Sequence, residues 1–291
     1  TWDAIDASLE AGVGLEATPL QIPPTPELES LIVQETTNLL QPAEAQVFVD
    51  VLENRKTLRL ARLFPHVLKP RDGLPVITTN YDRLIELAAE LSGLGVDTMF
   101  VGSTVGTFDE QTSRLSFVNR VELIKGKHLR KHLRPKINLF KPHGSFDWCL
   151  LNDAPVRLPL SLPLPRLIIT PGLNKFRNGY HSPFDTHRDR ANSAIDSAAR
   201  FLVLGYGFND DHLETHLVPK LKNGRDCLLL TRTMTDRARE VARQATGFIS
   251  LEYGERNAIP GTVVTRGGHA RFLPGKHIWD INHFVSEVLE P

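Results

Sequence analysis

From Leu74 onward the chain alternates short apolar runs with amphipathic stretches, whereas residues 1–72 carry apolar positions at helical spacing only. Alternation of this kind is the signature of βα units and a mainly parallel sheet. The apolar runs predict strands near Pro75 to Thr79, Thr98 to Gly102, Ile137 to Lys141, Leu167 to Thr170, Phe201 to Gly205, Cys227 to Thr231 and Phe248 to Leu251. The amphipathic stretches predict helices near Asp82 to Leu94, Pro183 to Arg200, Asp211 to Leu221, Thr235 to Ala245 and Trp279 to Leu289. Ahead of them, Trp2 to Glu10 and Pro42 to Phe64 fit helices, and Thr25-Pro26-Glu27 reads as N-cap, first-turn proline and early acid of another. Repeated proline makes Pro155 to Pro165 a loop or an extended connection. The expected architecture is α/β: a Rossmann-like, mainly parallel sheet flanked by helices over 73–291, with a smaller helical module over 1–72.

In an open α/β sheet, ligands sit beyond the carboxyl ends of the strands. Two predicted strand ends carry polar groups there: Thr78-Thr79-Asn80-Tyr81-Asp82 and Lys141-Pro142-His143-Gly144-Ser145. A third, Gly205-Tyr206-Gly207-Phe208-Asn209-Asp210-Asp211, joins a strand to a helix through two glycines that allow close backbone approach to a phosphate or ribose. Each has an ordinary reading beside the chemical one. Asn80 fits a turn and Asp82 a helix cap, His143 fits a hydrogen-bonded core histidine, and the glycine turn fits a βα connection capped by Asp211 with Glu214 completing a capping box.

Composition narrows the field. Acidic and basic residues balance at 34 each, which removes the global positive field behind non-specific nucleic-acid affinity. The local exception, Arg120 to Lys136, lacks aromatic residues for base stacking, and so reads as a solvated face or a protein interface rather than a nucleic-acid site. Cys149 and Cys227 stand alone, without a disulfide framework or zinc-ligand spacing, which fits a reducing cytoplasm. His212 and His216 lie one helical turn apart with no third metal ligand evident, so no metal is expected. No apolar stretch reaches the ~20 residues needed to span a bilayer.

Taken jointly, and in this order, the Thr-Thr-Asn-Tyr-Asp, Lys-Pro-His-Gly-Ser and Gly-Tyr-Gly-Phe-Asn-Asp segments resemble the sirtuin family, and most closely the sirtuin-like proteins of bacterial anti-phage defence. The resemblance runs from about Leu74 to the carboxyl end, with Arg271-Phe272-Leu273-Pro274 and the Trp279 helix as its last unit. Two departures stand out. The four-cysteine zinc module of sirtuin deacylases cannot be built from two isolated cysteines, which argues against deacylation. The family's Gly-Ala-Gly-x-Ser pyrophosphate turn does not occur in this sequence, and either lies upstream of Thr1 or has been lost.

The resemblance implies NAD⁺ as substrate and hydrolysis of its nicotinamide–ribose bond, to ADP-ribose or a cyclic form. It implies that Asn80 orients the attacking water and the ribose, that Asp82 binds the carboxamide or ribose, and that His143 acts as general base. Thr78, Thr79 and Gly144 would line the same site. Gly205, Tyr206 and Gly207 would admit the adenosine half, with Thr231 reaching its ribose. The implied role is an NAD⁺-depleting defence effector, held in check by self-assembly or by a partner such as a HerA-type ring ATPase or a short Argonaute. The alternative is a non-catalytic NAD⁺ or ADP-ribose sensor or scaffold, which the missing glycine turn favours.

Overall fold

The computed structural model describes Ala7 and residues 25–67, 70–124, 128–170 and 182–290. The helix expected over Trp2 to Glu10 falls outside these, apart from Ala7. The described residues form two compact units. One holds the described residues of 25–58, 70–124, 128–170 and 182–190, the other Arg59–Val67 and residues 191–290.

The first unit opens with α1 (Pro26–Leu52), capped by the Thr25 hydroxyl, which accepts from the Leu28 N–H at 3.3 Å. Proline at the first helical position needs no N–H donor there. Contrary to the expected break, α1 runs on through Pro42. Pro42 and Asn38 are both exposed, so the carbonyl that loses its partner lies on the solvent side. The helix stops at Leu52, where Asn54 turns into the left-handed region, and the chain re-forms a helix only as the short α2 (Arg59–Leu63) of the second unit.

The first unit carries two main sheets. Strands β1 (Leu74–Ile77), β2 (Gly95–Asp97) and β7 (Lys136–Phe140) form a parallel set in the order β1-β7-β2, with Ile77 opposite Phe140. In β7, Ile137 and Leu139 on one face have no solvent exposure and Lys136 and Phe140 on the other are buried, so the strand is covered on both faces. Helix α3 (Leu84–Leu91) follows β1 and buries Leu87, Ala88 and Ala89. Of the run expected over Thr98 to Gly102, only Phe100–Val101 is strand, and the parallel strand β2 lies ahead of that run. β2 ends at Asp97, whose carboxylate accepts from the Met99 N–H at 3.1 Å and turns the chain before β3 (Phe100–Val101).

The second sheet is antiparallel, in the order β10-β8-β9-β4-β3, built from β3, β4 (Gly106–Phe108), β8 (Gly144–Leu151), β9 (Ala154–Arg157) and β10 (Arg166–Ile168). Pro155 therefore lies in a strand rather than a loop. It sits at the start of β9, before the stretch that pairs with β4, where a missing N–H disturbs least. Between the two sheets in sequence come α4 (Glu110–Ser116) and a separate hairpin, β5 (Val118–Ile124) with β6 (His128–Leu133), formed by the basic segment. Helix α5 (Phe184–Ser197) carries the chain into the second unit.

There, β11 (Arg200–Leu204), β12 (Asp226–Thr231) and β13 (Phe248–Arg256) run parallel, and β14 (Ile259–Arg266) and β15 (His269–Pro274) continue the sheet antiparallel in the order β11-β12-β13-β14-β15. Helices α6 (Asp211–Lys222) and α7 (Asp236–Gln244) follow β11 and β12, and α8 (Ile281–Phe284) passes into a π-turn at Val285–Leu289. The expected α/β architecture is thus present. The antiparallel sheet of the first unit and the β14-β15 extension are additions to it.

Leu229, at the centre of β12, is fully buried. Leu229→Ala should cost about 2–5 kcal/mol, because it removes both transfer energy and packing at a site flanked by two strands. Urea denaturation of the full chain measures it.

Candidate functional site

The parallel pairing of β1 with β7 brings two of the three polar strand ends side by side. The ladder extends one step past β1, where the Thr78 N–H donates to the Phe140 carbonyl at 3.0 Å. The chain then leaves the sheet through a turn in which the Asn80 N–H donates to the Thr78 hydroxyl at 3.1 Å. Asn80 is exposed at this edge, while Thr79, Tyr81 and Asp82 are partly covered. One Asp82 carboxylate oxygen accepts from the Leu84 N–H at 3.1 Å, a local turn bond at the entry to α3. The N-cap of α3 is Arg83, with no side-chain cap, so Asp82 is not the cap the sequence suggested.

The second end is a tight turn closed by the Gly144 N–H donating to the Lys141 carbonyl at 3.0 Å. Gly144 has φ +88°, and a Cβ here would lie 2.0 Å from the Leu167 carbonyl oxygen. Only glycine allows β8 to leave the turn so close to β10. His143 is 9% exposed, and its carbonyl accepts from the Ile169 N–H at 2.9 Å, anchoring the turn from the other side.

Tyr81 and Lys141 join the two turns. The Tyr81 carbonyl accepts from the Phe146 N–H at 3.0 Å and the Ser145 hydroxyl at 3.2 Å, and the Tyr81 hydroxyl donates to the Ile169 carbonyl at 2.6 Å. Lys141 has no solvent exposure. Its ammonium donates to the Asp82 carbonyl, to Glu86 Oε1 at 3.0 Å and to Ser145 Oγ at 3.1 Å. Burial raises the Glu86 carboxyl above its ordinary range, with the Lys141 ammonium opposing and the nearby Asp147 carboxylate adding to the rise. Beside this cluster, Arg83 donates from its backbone N–H and guanidinium to Glu44 of α1, at 2.6 Å from Nη2 to Oε2. That pair fixes the amino end of α3 against the long helix.

His187 of α5 backs the second turn. Its Nδ1 accepts from the Lys141 N–H at 3.2 Å, which assigns the proton of the neutral ring to Nε2, and its ring lies 4.6 Å from that of Trp148. Burial and the Lys141 ammonium push its pKa down to about 3. No sequence pattern pointed to His187, Glu86 or Asp147. Lys141 stood within a quoted motif, and the one available signal was a lysine closing an otherwise apolar run.

The third strand end belongs to the second unit, where the parallel pairing of β11 and β12 brings Gly205 and Thr231 to one edge. Gly205 has φ +62°, and its N–H donates to the Leu230 carbonyl at 2.9 Å. The Gly207 carbonyl accepts from the Thr235 hydroxyl, and Tyr206 packs its ring 5.1 Å from that of buried Phe208. The Thr231 hydroxyl donates to the Thr233 carbonyl at 3.0 Å, within its own turn.

The amino end of α6 is capped by Asp210, not Asp211. The Asp210 carboxylate accepts from the N–H groups of His212 and Leu213, at 3.1 and 3.3 Å. Glu214 completes no capping box and instead pairs with Arg237 at 2.9 Å, because that guanidinium offers two donors to a buried carboxylate. His216 pairs with Asp196 at 2.9 Å. Cys149 and Cys227 are buried free thiols, the latter pushed up to about 12 by burial. Among the described residues, no helix is long and apolar enough to cross a membrane.

Removing Lys141 should be costly, because Glu86 would keep a buried charge without its partner. Lys141→Met is expected to lose about 3–5 kcal/mol, and Lys141→Met with Glu86→Leu to recover most of it. A double-mutant cycle by urea denaturation reads both. His187 sets a second expectation. Its folded pKa lies below the ordinary value near 6.5, so the unfolded chain takes up a proton that the folded chain refuses. Stability is therefore full above about pH 6.5 and falls as pH drops toward 3, by up to about 1.4 kcal/mol per pH unit. His187→Asn, which keeps an acceptor for the Lys141 N–H, should flatten that slope in urea midpoints taken between about pH 7.5 and 4.5.

Compared with protein families, residues 75–245 match the SIR2-like domain, a span of more than half the chain that contains all three strand ends. No curated protein matches the sequence.

Proposed function

Because the chain belongs to the SIR2-like family, whose domains are commonly NAD-dependent enzymes, we propose that it is an NAD⁺ glycohydrolase. The observation that carries this reading is the joining of the Asn80 and His143 turns at the carboxyl ends of adjacent parallel strands, over a shared buried ammonium. Such an edge is where an α/β sheet places its ligand. The support beneath it is rigid enough to hold a water and a ribose in fixed relation, which is most of what this reaction needs.

In the proposed step, water adds to C1′ of the nicotinamide ribose as the C1′–N bond breaks. The bonding electrons leave with nicotinamide, which departs neutral because it was cationic while attached. The proton lost from water passes to the His143 imidazole and then to solvent. Asn80, exposed at the same edge, orients the water and the ribose hydroxyls. Asp82 holds the α3 start through one carboxylate oxygen and presents the turn to the carboxamide or ribose. Thr78, Thr79 and Gly144 shape the same edge. Gly205, Tyr206, Gly207 and Thr231 are assigned to the adenosine half. Free NAD⁺ hydrolysis would deplete a cell, which is the property an anti-phage effector uses and the reason for control by assembly or by a partner protein.

A non-catalytic NAD⁺ or ADP-ribose sensor is the second reading. Asp210 favours it, because a carboxylate already satisfies N–H groups that an NAD⁺ phosphate would otherwise engage.

Nicotinamide release from NAD⁺, followed by chromatography, decides between them. Wild type should release nicotinamide stoichiometrically with ADP-ribose or its cyclic form. His143→Ala should fall by about 10²–10⁴ in rate with the circular dichroism melt unchanged, and Asn80→Ala should also fall. NAD⁺ binding by calorimetry without nicotinamide release would instead establish the sensor.

A further inference from the structure

The β5-β6 hairpin stands apart from both sheets of its unit, and a two-stranded hairpin alone is marginal in water. Its register places Val121 opposite Lys131 and Leu123 opposite Leu129, so these four share one face. Leu123 and Leu129 are 70% and 65% exposed. The other face carries Arg120, Glu122, Arg130 and His132, with Glu122 paired to His132 at 2.8 Å and to Arg120 at 3.5 Å. At its base, buried Phe117 lies beneath the Arg134 guanidinium and the Lys136 ammonium. The arm is thus anchored, with Lys131 beside the leucines of its apolar face and further cations on the opposite face.

The same unit exposes a surface of opposite character. Helix α1 contains five acidic residues and no lysine or arginine. Glu27, Leu31, Glu35, Leu39, Val49 and Leu52 follow helical spacing along one exposed stripe, with Leu39 74% and Leu52 63% exposed. Glu44 and Asp50 are buried and already engaged, the first with Arg83 and the second with Arg55 and Lys56. With 27 residues, α1 is roughly 40 Å long, enough to receive a hairpin across its length.

Both surfaces are exposed in one chain, so a chain does not cover one with its own copy of the other. We propose that they cover each other between two copies: the basic, leucine-bearing hairpin of one chain docks on the acidic, leucine-bearing stripe of α1 of another. Each chain carries one of each surface, so a two-fold pair satisfies both at once. Apolar contact between the leucines supplies the burial, and charge complementarity fixes the partner and orientation.

The test uses the full chain and a charge swap. Light scattering at tens of micromolar should give at least twice the 32.6 kDa chain mass for the wild type. Glu27→Lys with Glu35→Lys leaves both surfaces positive, and Lys131→Glu leaves both negative. Each variant alone should be monomeric with an unchanged circular dichroism melt, and an equal mixture should re-associate. Carbodiimide cross-linking of mixed ¹⁴N and ¹⁵N wild-type chains should join Lys131 to Glu35 between differently labelled copies, a readout that needs no variant to fold. A monomeric wild type would overturn the proposal and leave the arm to a different protein. Variants that still self-associate, a mixture that stays monomeric, or cross-links confined to one chain would overturn it equally.

Discussion

A fully buried ammonium, that of Lys141, is the constraint around which the first unit's sheet edge is arranged. Taking a lysine charge out of water costs several kcal/mol unless its donors are all used. Here they go to a carboxylate on α3, a hydroxyl at the start of β8 and the backbone carbonyl of Asp82. Those acceptors belong to three different pieces of chain. The charge is satisfied only when the two turns and α3 stand in one arrangement, so the electrostatic cost of misplacing any of them falls on the same atom. Tyr81 adds neutral ties between the same segments, and Arg83 passes the restraint on to α1 through Glu44.

The chemistry proposed for this edge depends on that rigidity more than on any unusual side chain. Asn80 is exposed and His143 is nearly enclosed, yet both sit on turns held by backbone hydrogen bonds to neighbouring strands. Asp82 shows how a residue serves both purposes, holding the Leu84 N–H at the entry to α3 through one carboxylate oxygen while standing two residues from Asn80. The ordinary and the chemical readings of such a residue are compatible, because its local bond sets the direction in which the chain enters the helix.

Much of this was legible in the residues. The apolar runs at β1, β7, β11 and β12 have the continuous hydrophobicity expected of parallel strands, although only β7 and β12 bury residues on both faces, and the polar segments do lie at the strand ends. Strands β14 and β15 were missed because they carry polar residues throughout, as in Thr262-Val263-Val264-Thr265-Arg266, and belong to the part of the sheet that is least covered. The hairpin β5-β6 was read only as charge, since alternation of leucine with lysine and arginine also fits a solvated surface. His187 gave no signal, because its role comes from α5 packing behind a turn whose Lys141 N–H lies 46 residues earlier in the chain, a contact that no local pattern encodes. Pro42 misled for the opposite reason: the local rule is sound, but exposure of the turn made the lost hydrogen bond inexpensive.

The cap at α6 has a consequence for what the second unit's edge can attract. A helix amino terminus presents about half a positive charge through its unpaired N–H groups, and a neighbouring carboxylate more than cancels it. With Asp210 in that place, the glycine turn ahead of α6 has a negative rather than a positive electrostatic character. Whatever settles there is drawn in by groups that donate hydrogen bonds, as sugar hydroxyls do, and its affinity should be almost indifferent to ionic strength.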